Sequence, residues 1–371
     1  MANEQLVAIY SQHTSNLNRV ATSQGSAVIP YIDEIYRQIN IIFASYSTRK
    51  RITPELEQKI RDEINKIVST EMQAYIRELK SDQRELGLHE AQFGAQQLDE
   101  VIKDEEFTST VPAAAQITAA AVATPIKLGE DSFITYNSMM RNYWQKWTDE
   151  IDAVVAQGFV QGQTIQQIQS LVLETIEPSK TGVTKSVLDR ARRAAKTIAI
   201  TGSNHYANQA RVAFAKDNDD VIKGYINISV IDSRTSQQCR ALDGKEIKAD
   251  DPNLSRFIPP GHPRCRRALV YQVDERYSIQ DEDSKRQSNF RKDGKLDPKP
   301  IDANQTYYEA LKKLSARDQD AILGPTLGKA FRKLDNPSEF AKFTIDSLGQ
   351  PLTIKQMKER DNVLSRILNK L

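Results

Sequence analysis

The sequence predicts a mainly α-helical protein carrying a small α+β module late in the chain. Three observations predict it. Apolar residues recur at helical spacing through the first third and again through residues 133–217. At Tyr225-Ile-Asn-Ile-Ser-Val-Ile231 the spacing switches to alternating apolar and polar positions, the mark of a strand with one buried face. Beyond residue 307 the helical spacing returns.

In the N-terminal region, residues 1–110, Leu56, Ile60, Ile64, Ile67, Met72, Tyr75 and Leu79 form one apolar stripe on a long helix. Thr53-Pro54 opens that helix, with a capping hydroxyl followed by a proline where no N–H is needed. Residues 111–132, rich in Ala and Thr with Pro112 and Pro125, read as a linker. Residues 133–275 form the core region. Here Tyr143, Trp144 and Trp147 serve as packing anchors, Thr164-Ile-Gln-Gln167 is a capping box, and a further helix spans residues 185–215. The module itself occupies 222–275. The charged stretch 276–306 has few apolar anchors and reads as a solvated arm. Residues 307–371 form a helical tail broken at Gly324-Pro325 and Asn336-Pro337.

Composition narrows the function. Of 371 residues, 51 are Lys or Arg and 49 Asp or Glu, a net charge of +2. Sequence-independent DNA binders draw their affinity from phosphate neutralisation, so near balance disfavours a DNA-coating role. No apolar run approaches the roughly 20 residues that span a bilayer, and the first residues lack the pattern of a secretory signal. The expected setting is the cytoplasm in which the chain is made. The two cysteines, Cys239 and Cys265, are too few for a disulfide framework.

Those cysteines lie in the most informative segment. It runs Asp232-Ser-Arg234-Thr235, then Cys239-Arg-Ala-Leu242-Asp243-Gly244, then Pro259-Pro260-Gly-His262-Pro263-Arg-Cys265-Arg266. Asp243-Gly244 favours a hairpin-type turn, and Pro259-Pro260 an extended approach to His262. The loop thereby returns His262 and Cys265 toward Cys239 and Asp232. A charge-assisted bond between Asp232 and Arg234 is expected to close it.

This pattern resembles the core motif of the Mu F-like head-morphogenesis family of tailed phages. Ile198-Ala-Ile-Thr201 falls where that family has an Ala-Arg-Thr-Glu-like element, with Ile200 in place of the Arg and Gly202 in place of the Glu. Tyr307-Tyr-Glu-Ala-Leu311, Asp318-Gln319 and Pro351-Leu-Thr-Ile354 also look like the family's C-terminal part, so the resemblance covers roughly residues 135–360. It implies a low-copy minor capsid protein of the virion head, associated with the portal vertex during procapsid assembly and affecting DNA packaging or ejection. The implied partners are the portal protein and major capsid or scaffold proteins, with no membrane, no small-molecule substrate and no assigned catalysis. The residues implied for the motif are Asp232, Arg234, Thr235, Cys239, Leu242, Asp243, Gly244, Pro260, His262, Pro263, Cys265 and Arg266.

Rival readings use the same residues. Cys239, His262 and Cys265 offer zinc-ligand spacing, although no cofactor is otherwise expected. Relatives often carry two further cysteines at the positions of Ser236 and Arg267, so a closed site here would need Asp232 or Asp243 as fourth ligand. Cys239 with His262 and an Asp can also be drawn as a thiol enzyme's nucleophile, base and orienter, an arrangement recognised by geometry and not by spacing. Arg190, Arg192 and Arg193 on one helix could contact packaged DNA in an internal or ejection protein. A solvated helix face accounts for them more simply. His205 reads as an ordinary polar helix residue.

Overall fold

In the computed structural model the described residues are 2–49, 52–102, 107–127, 132–174, 187–277, 283–334 and 336–369. The architecture is mainly α with a small β module, as the periodicity predicts. The chain divides into two compact units, neither continuous in sequence. One comprises Met1–Arg19, Leu86–Phe133 and Ser203–Leu371; the other comprises Val20–Glu85 and Ile134–Gly202.

The second unit is helical. Helix Ile29–Tyr46 buries Ile32, Ile35, Ile39 and Phe43 along one face. In the long helix Pro54–Ile102, Thr53 accepts a bond from the Leu56 N–H, the expected cap. The buried stripe of this unit runs Ile60, Ile64, Val68, Met72, Tyr75 and Leu79. Val68 takes the place expected of Ile67, which is only half buried, because a four-residue step from Ile64 stays closer to the 3.6-residue repeat. Helices Tyr136–Val160 and Ile165–Glu174 contribute Trp147, Ile151, Val155, Ile168 and Val172. The capping box forms as expected, with Gln167 Oε1 accepting from Thr164 N and Thr164 Oγ1 from Gln167 N.

The first unit is built around the module. Strands Glu246–Lys248, Ile222–Ile228 and Ala268–Val273 form an antiparallel sheet in which Ile222–Ile228 is central. A second sheet has the order Lys299–Asp302, Lys285–Asn289, Ile231–Asp232, the last pair parallel. Tyr10, Leu98, Phe214, Tyr225, Val270 and Tyr271 are among the residues of its main core. Two stretches expected as connectors are more ordered than their composition suggests. The Ala/Thr-rich segment contains helix Ala114–Ala123, which buries Ile117 and Ala121. The charged segment expected as a solvated arm supplies four strands, two of them in the second sheet, and Arg286 and Ser288 on one of these are buried. Polar residues can line an interior when their charge is paired, as Arg286 is with Asp243, and that pairing is invisible to hydropathy.

The Ala268–Val273 strand is held from its other edge by helix Val187–Asp217. Leu269 N donates to Asn208 Oδ1 at 2.9 Å, and Leu269 O accepts from Arg211 Nη1 at 3.1 Å. One residue earlier, Arg267 O accepts from Asn204 Nδ2 at 2.9 Å. Asn204, Asn208 and Arg211 lie at i, i+4 and i+7, so one helix face substitutes for a neighbouring strand. Arg211 is itself fully buried and donates through Nε and Nη2 to the equally buried Glu90.

The tail closes over the module within the same unit. From the short helix Gln237–Leu242, Gln237 Nε2 donates to Thr344 O and Leu352 O, Gln238 Nε2 to Gly349 O, and Arg240 Nη1 to Ile322 O. The tail breaks where proline requires: Gly324 precedes helix Pro325–Lys333, and Asn336 caps helix Pro337–Thr344.

Candidate functional site

Strand Ile231–Asp232 ends in a tight turn that presents Asp232 to a constellation of donors. Its Oδ1 accepts from Arg234 N at 2.9 Å and Thr235 Oγ1 at 3.1 Å. Arg266 then grips both oxygens in a fork, Nη2 to Oδ1 and Nη1 to Oδ2, each at 2.7 Å. The expected Asp232–Arg234 bond is therefore not the closure. Arg234 Nη2 reaches Oδ2 only at 3.4 Å, and its side chain is 81% exposed. Two residues along a turn, Arg234 points into solvent, whereas Arg266 arrives from the loop's return and matches the carboxylate's geometry. Burial opposes the Asp232 charge, but the Arg266 bonds and charge outweigh it and hold the carboxyl below the usual range.

Asp243 performs a second closure. Its Oδ1 accepts from Ser229 N at 2.6 Å and Arg286 Nη2 at 3.0 Å; its Oδ2 accepts from Tyr307 N at 2.7 Å and Arg286 Nη1 at 3.2 Å. The following Gly244 has φ +79°, the left-handed conformation that favours glycine. The turn joins helix Gln237–Leu242 to strand Glu246–Lys248, where the sequence predicts a hairpin. Leu242 drops into a small core with Ile247 and Phe257. Pro260 is buried, in a cis peptide bond with Pro259 where an extended approach is expected.

Between these two closures the loop brings Cys239, His262 and Cys265 together. Their ligand atoms lie within 4.8 Å of one another, the one such group of three or more among the described residues. Cys239 Sγ is 3.7 Å from Cys265 Sγ and 3.1 Å from His262 Nε2. His262 Nδ1 lies 2.8 Å from Pro263 O. A carbonyl can only accept, so Nδ1 carries the proton and Nε2 turns its lone pair toward the thiols. Ser236 caps helix Gln237–Leu242 by accepting from Cys239 N, and its Oγ also lies 2.8 Å from His262 Nε2.

The electrostatics are asymmetric. The bond to Cys265 and burial push the Cys239 thiol up. That same bond pulls the Cys265 thiol down against desolvation, with His262 and the Arg267 charge adding to the effect. Arg267 is fully buried and donates through Nη2 to Phe257 O. Neither Asp232 nor Asp243 belongs to the cluster, because each carboxylate is consumed by an arginine; the nucleophile–base–orienter arrangement consequently has no acid behind His262, whose Nδ1 faces a carbonyl.

Arg190 and Arg192, on the stretch of helix Val187–Asp217 that belongs to the other unit, pair with Glu150 and Asp33, and Arg193 is exposed. Trp147 is buried, as an anchor should be. His205 is also buried, with Nε2 2.7 Å from Ala121 O, which helical spacing alone does not reveal. Sequence reasoning misses Arg286, whose charged surroundings conceal it. It also passes over Asn204, Asn208 and Arg211, although their i, i+4, i+7 spacing among small residues is a readable signal.

Residues 149–270 match the family model described as Phage Mu protein F like protein. That span begins within helix Tyr136–Val160 and ends inside strand Ala268–Val273, so it includes both aspartates and the whole Cys/His cluster but neither Arg286 nor Tyr307. No curated protein and no solved structure is a significant match to the chain.

Proposed function

We propose that the chain, whose residues 149–270 match the phage Mu protein F like family model, is a phage head-morphogenesis protein, a low-copy minor capsid component docking at the portal vertex during procapsid assembly. The family match carries this reading. Supporting it, the two aspartates of the motif are spent on internal closure: Asp232 on Arg266 and Asp243 on Arg286. Among the described residues no helix is long and apolar enough to cross a membrane. Its partners on this reading are the portal protein and neighbouring capsid or scaffold proteins, and its place is the virion head, where it assists DNA packaging or ejection.

The test is co-expression with the portal protein of the same phage, followed by affinity capture and quantification of each chain in assembled procapsids. A portal complex, and a few copies per procapsid lost when the chain is deleted, is the expected result. Procapsids of unchanged composition, with no portal complex, would overturn it. The competing reading, a DNA-contacting ejection protein, needs free cations. Arg190 and Arg192 facing carboxylates weigh against it, and it predicts duplex binding that falls steeply with salt.

A further inference from the structure

We propose that Cys239, His262 and Cys265 form a zinc site with three protein ligands and a fourth position occupied by water. The chain's two cysteines are 26 residues apart, yet fold to an Sγ–Sγ distance of 3.7 Å. Two thiolates on a tetrahedral zinc, each with a Zn–S bond of about 2.3 Å, stand about 3.8 Å apart. His262 completes the donor set in the required tautomer. Its Nδ1–H is committed to Pro263 O, the outer contact that orients metal-binding histidines, and its bare Nε2 faces Cys239 Sγ at 3.1 Å. Nothing in an apolar packing role would require a histidine lone pair aimed at two buried thiols.

The fourth position follows from what surrounds the trio. Ser236 Oγ lies beside Nε2 at 2.8 Å, and a cavity of ≈ 30 Å³ opens between Ser236, Cys239, His262 and Arg266. That is room for one water with polar partners. Both aspartates that could close the tetrahedron are taken by arginines, so the first shell remains at three. Binding replaces the thiol protons, which pass to solvent as Zn–S bonds form, and leaves a neutral imidazole on the metal. The site ties helix Gln237–Leu242 to the returning loop, and it is independent of the head-assembly reading.

The test uses the full chain, purified with a thiol reductant and without strong chelators, then loaded with zinc alone and in parallel with cobalt(II) as spectroscopic probe. One zinc per chain is expected, together with a thiolate-to-cobalt charge-transfer band and the intense d–d bands of a tetrahedral ion. Cys265→Ser and His262→Ala should each weaken zinc binding by more than the roughly 10–100-fold that loss of an outer contact costs. Should either variant fail to fold, the cobalt spectrum of the unaltered chain decides alone. Two reactive thiols with no bound metal would overturn the proposal, as would recovery of a Cys239–Cys265 disulfide that zinc does not prevent.

Discussion

Arg286 and Asp243 face each other across 43 residues of sequence as a buried ion pair, their side chains 2% and 0% exposed. The aspartate comes from the most recognisable turn in the chain, the arginine from its most featureless stretch. Because Asp243 also accepts from the Ser229 and Tyr307 N–H groups, one carboxylate holds the loop, the second sheet and the start of the tail.

Asp243→Ala should therefore cost about 3–5 kcal/mol, because it leaves the buried Arg286 charge without its carboxylate, with only Ser229 O still accepting from it, and strands the Ser229 and Tyr307 N–H donors. Chemical denaturation read by circular dichroism measures it. Asp243→Ala combined with Arg286→Met should recover part of the loss, since an apolar pair leaves no orphaned charge. A double variant no better than the single would refute the ion-pair account.

The two arginines near Asp232 should behave oppositely. Arg266→Ala should lower stability by about 1–3 kcal/mol, allowing for its partial exposure, whereas Arg234→Ala should leave the thermal midpoint unchanged. Equal effects in a thermal melt would mean that the fork is not what closes the turn.

Gly202 is packed where a side chain cannot go. A Cβ there would stand 2.2 Å from Tyr136 Cζ, and that ring is buried and held by a bond from Gln83 Nε2 to its hydroxyl. Gly202→Ala should destabilise by about 1–3 kcal/mol, and pairing it with Tyr136→Leu should give less than the sum of the single effects. Additivity in equilibrium unfolding would dismiss the contact.

His205 should make stability depend on mild acid. Burial holds its pKa down at about 4, against an ordinary value near 6.5, so the folded chain keeps the ring neutral while the unfolded chain protonates it. The unfolded state then binds more protons between those values, and stability falls as pH drops from about 6.5 toward 4, by up to about 3 kcal/mol. The reporter is the slope of unfolding free energy against pH over that window. It should be shallower in His205→Gln, and an identical slope would show that the imidazole does not titrate on unfolding.

How much of this was legible in advance can be seen residue by residue. Thr53 and Thr164 cap helices where their spacing to the next apolar residue says they should, because capping is decided within one turn. Cys239, His262 and Cys265 converge as expected, though through a helix-to-strand turn at Asp243-Gly244 and a cis Pro259-Pro260 bond in place of the hairpin and the extended approach. The sequence also singles out Asp232 and Asp243, though not their partners. For Asp232 it points to the adjacent Arg234, since neighbours in sequence are all that local reasoning can offer. For Asp243 it offers none, because Arg286 stands among charges that read as solvated.

By itself, then, the sequence determined the class of fold, the helix starts at Thr53 and Thr164, a strand through Tyr225–Ile228 though not its start at Ile222 or the passage of Ile231 into a second sheet, and the segment that matches the family model. These depend on periodicity and on contacts within a few residues. Only the tertiary structure decided which arginine answers which aspartate, that Asn204, Asn208 and Arg211 take the place of a neighbouring strand, and that a charged stretch becomes sheet with Arg286 and Ser288 buried. Each of these pairs groups far apart in the chain. Their free energy comes from mutual satisfaction on burial, a property of the assembled pair that neither residue carries alone.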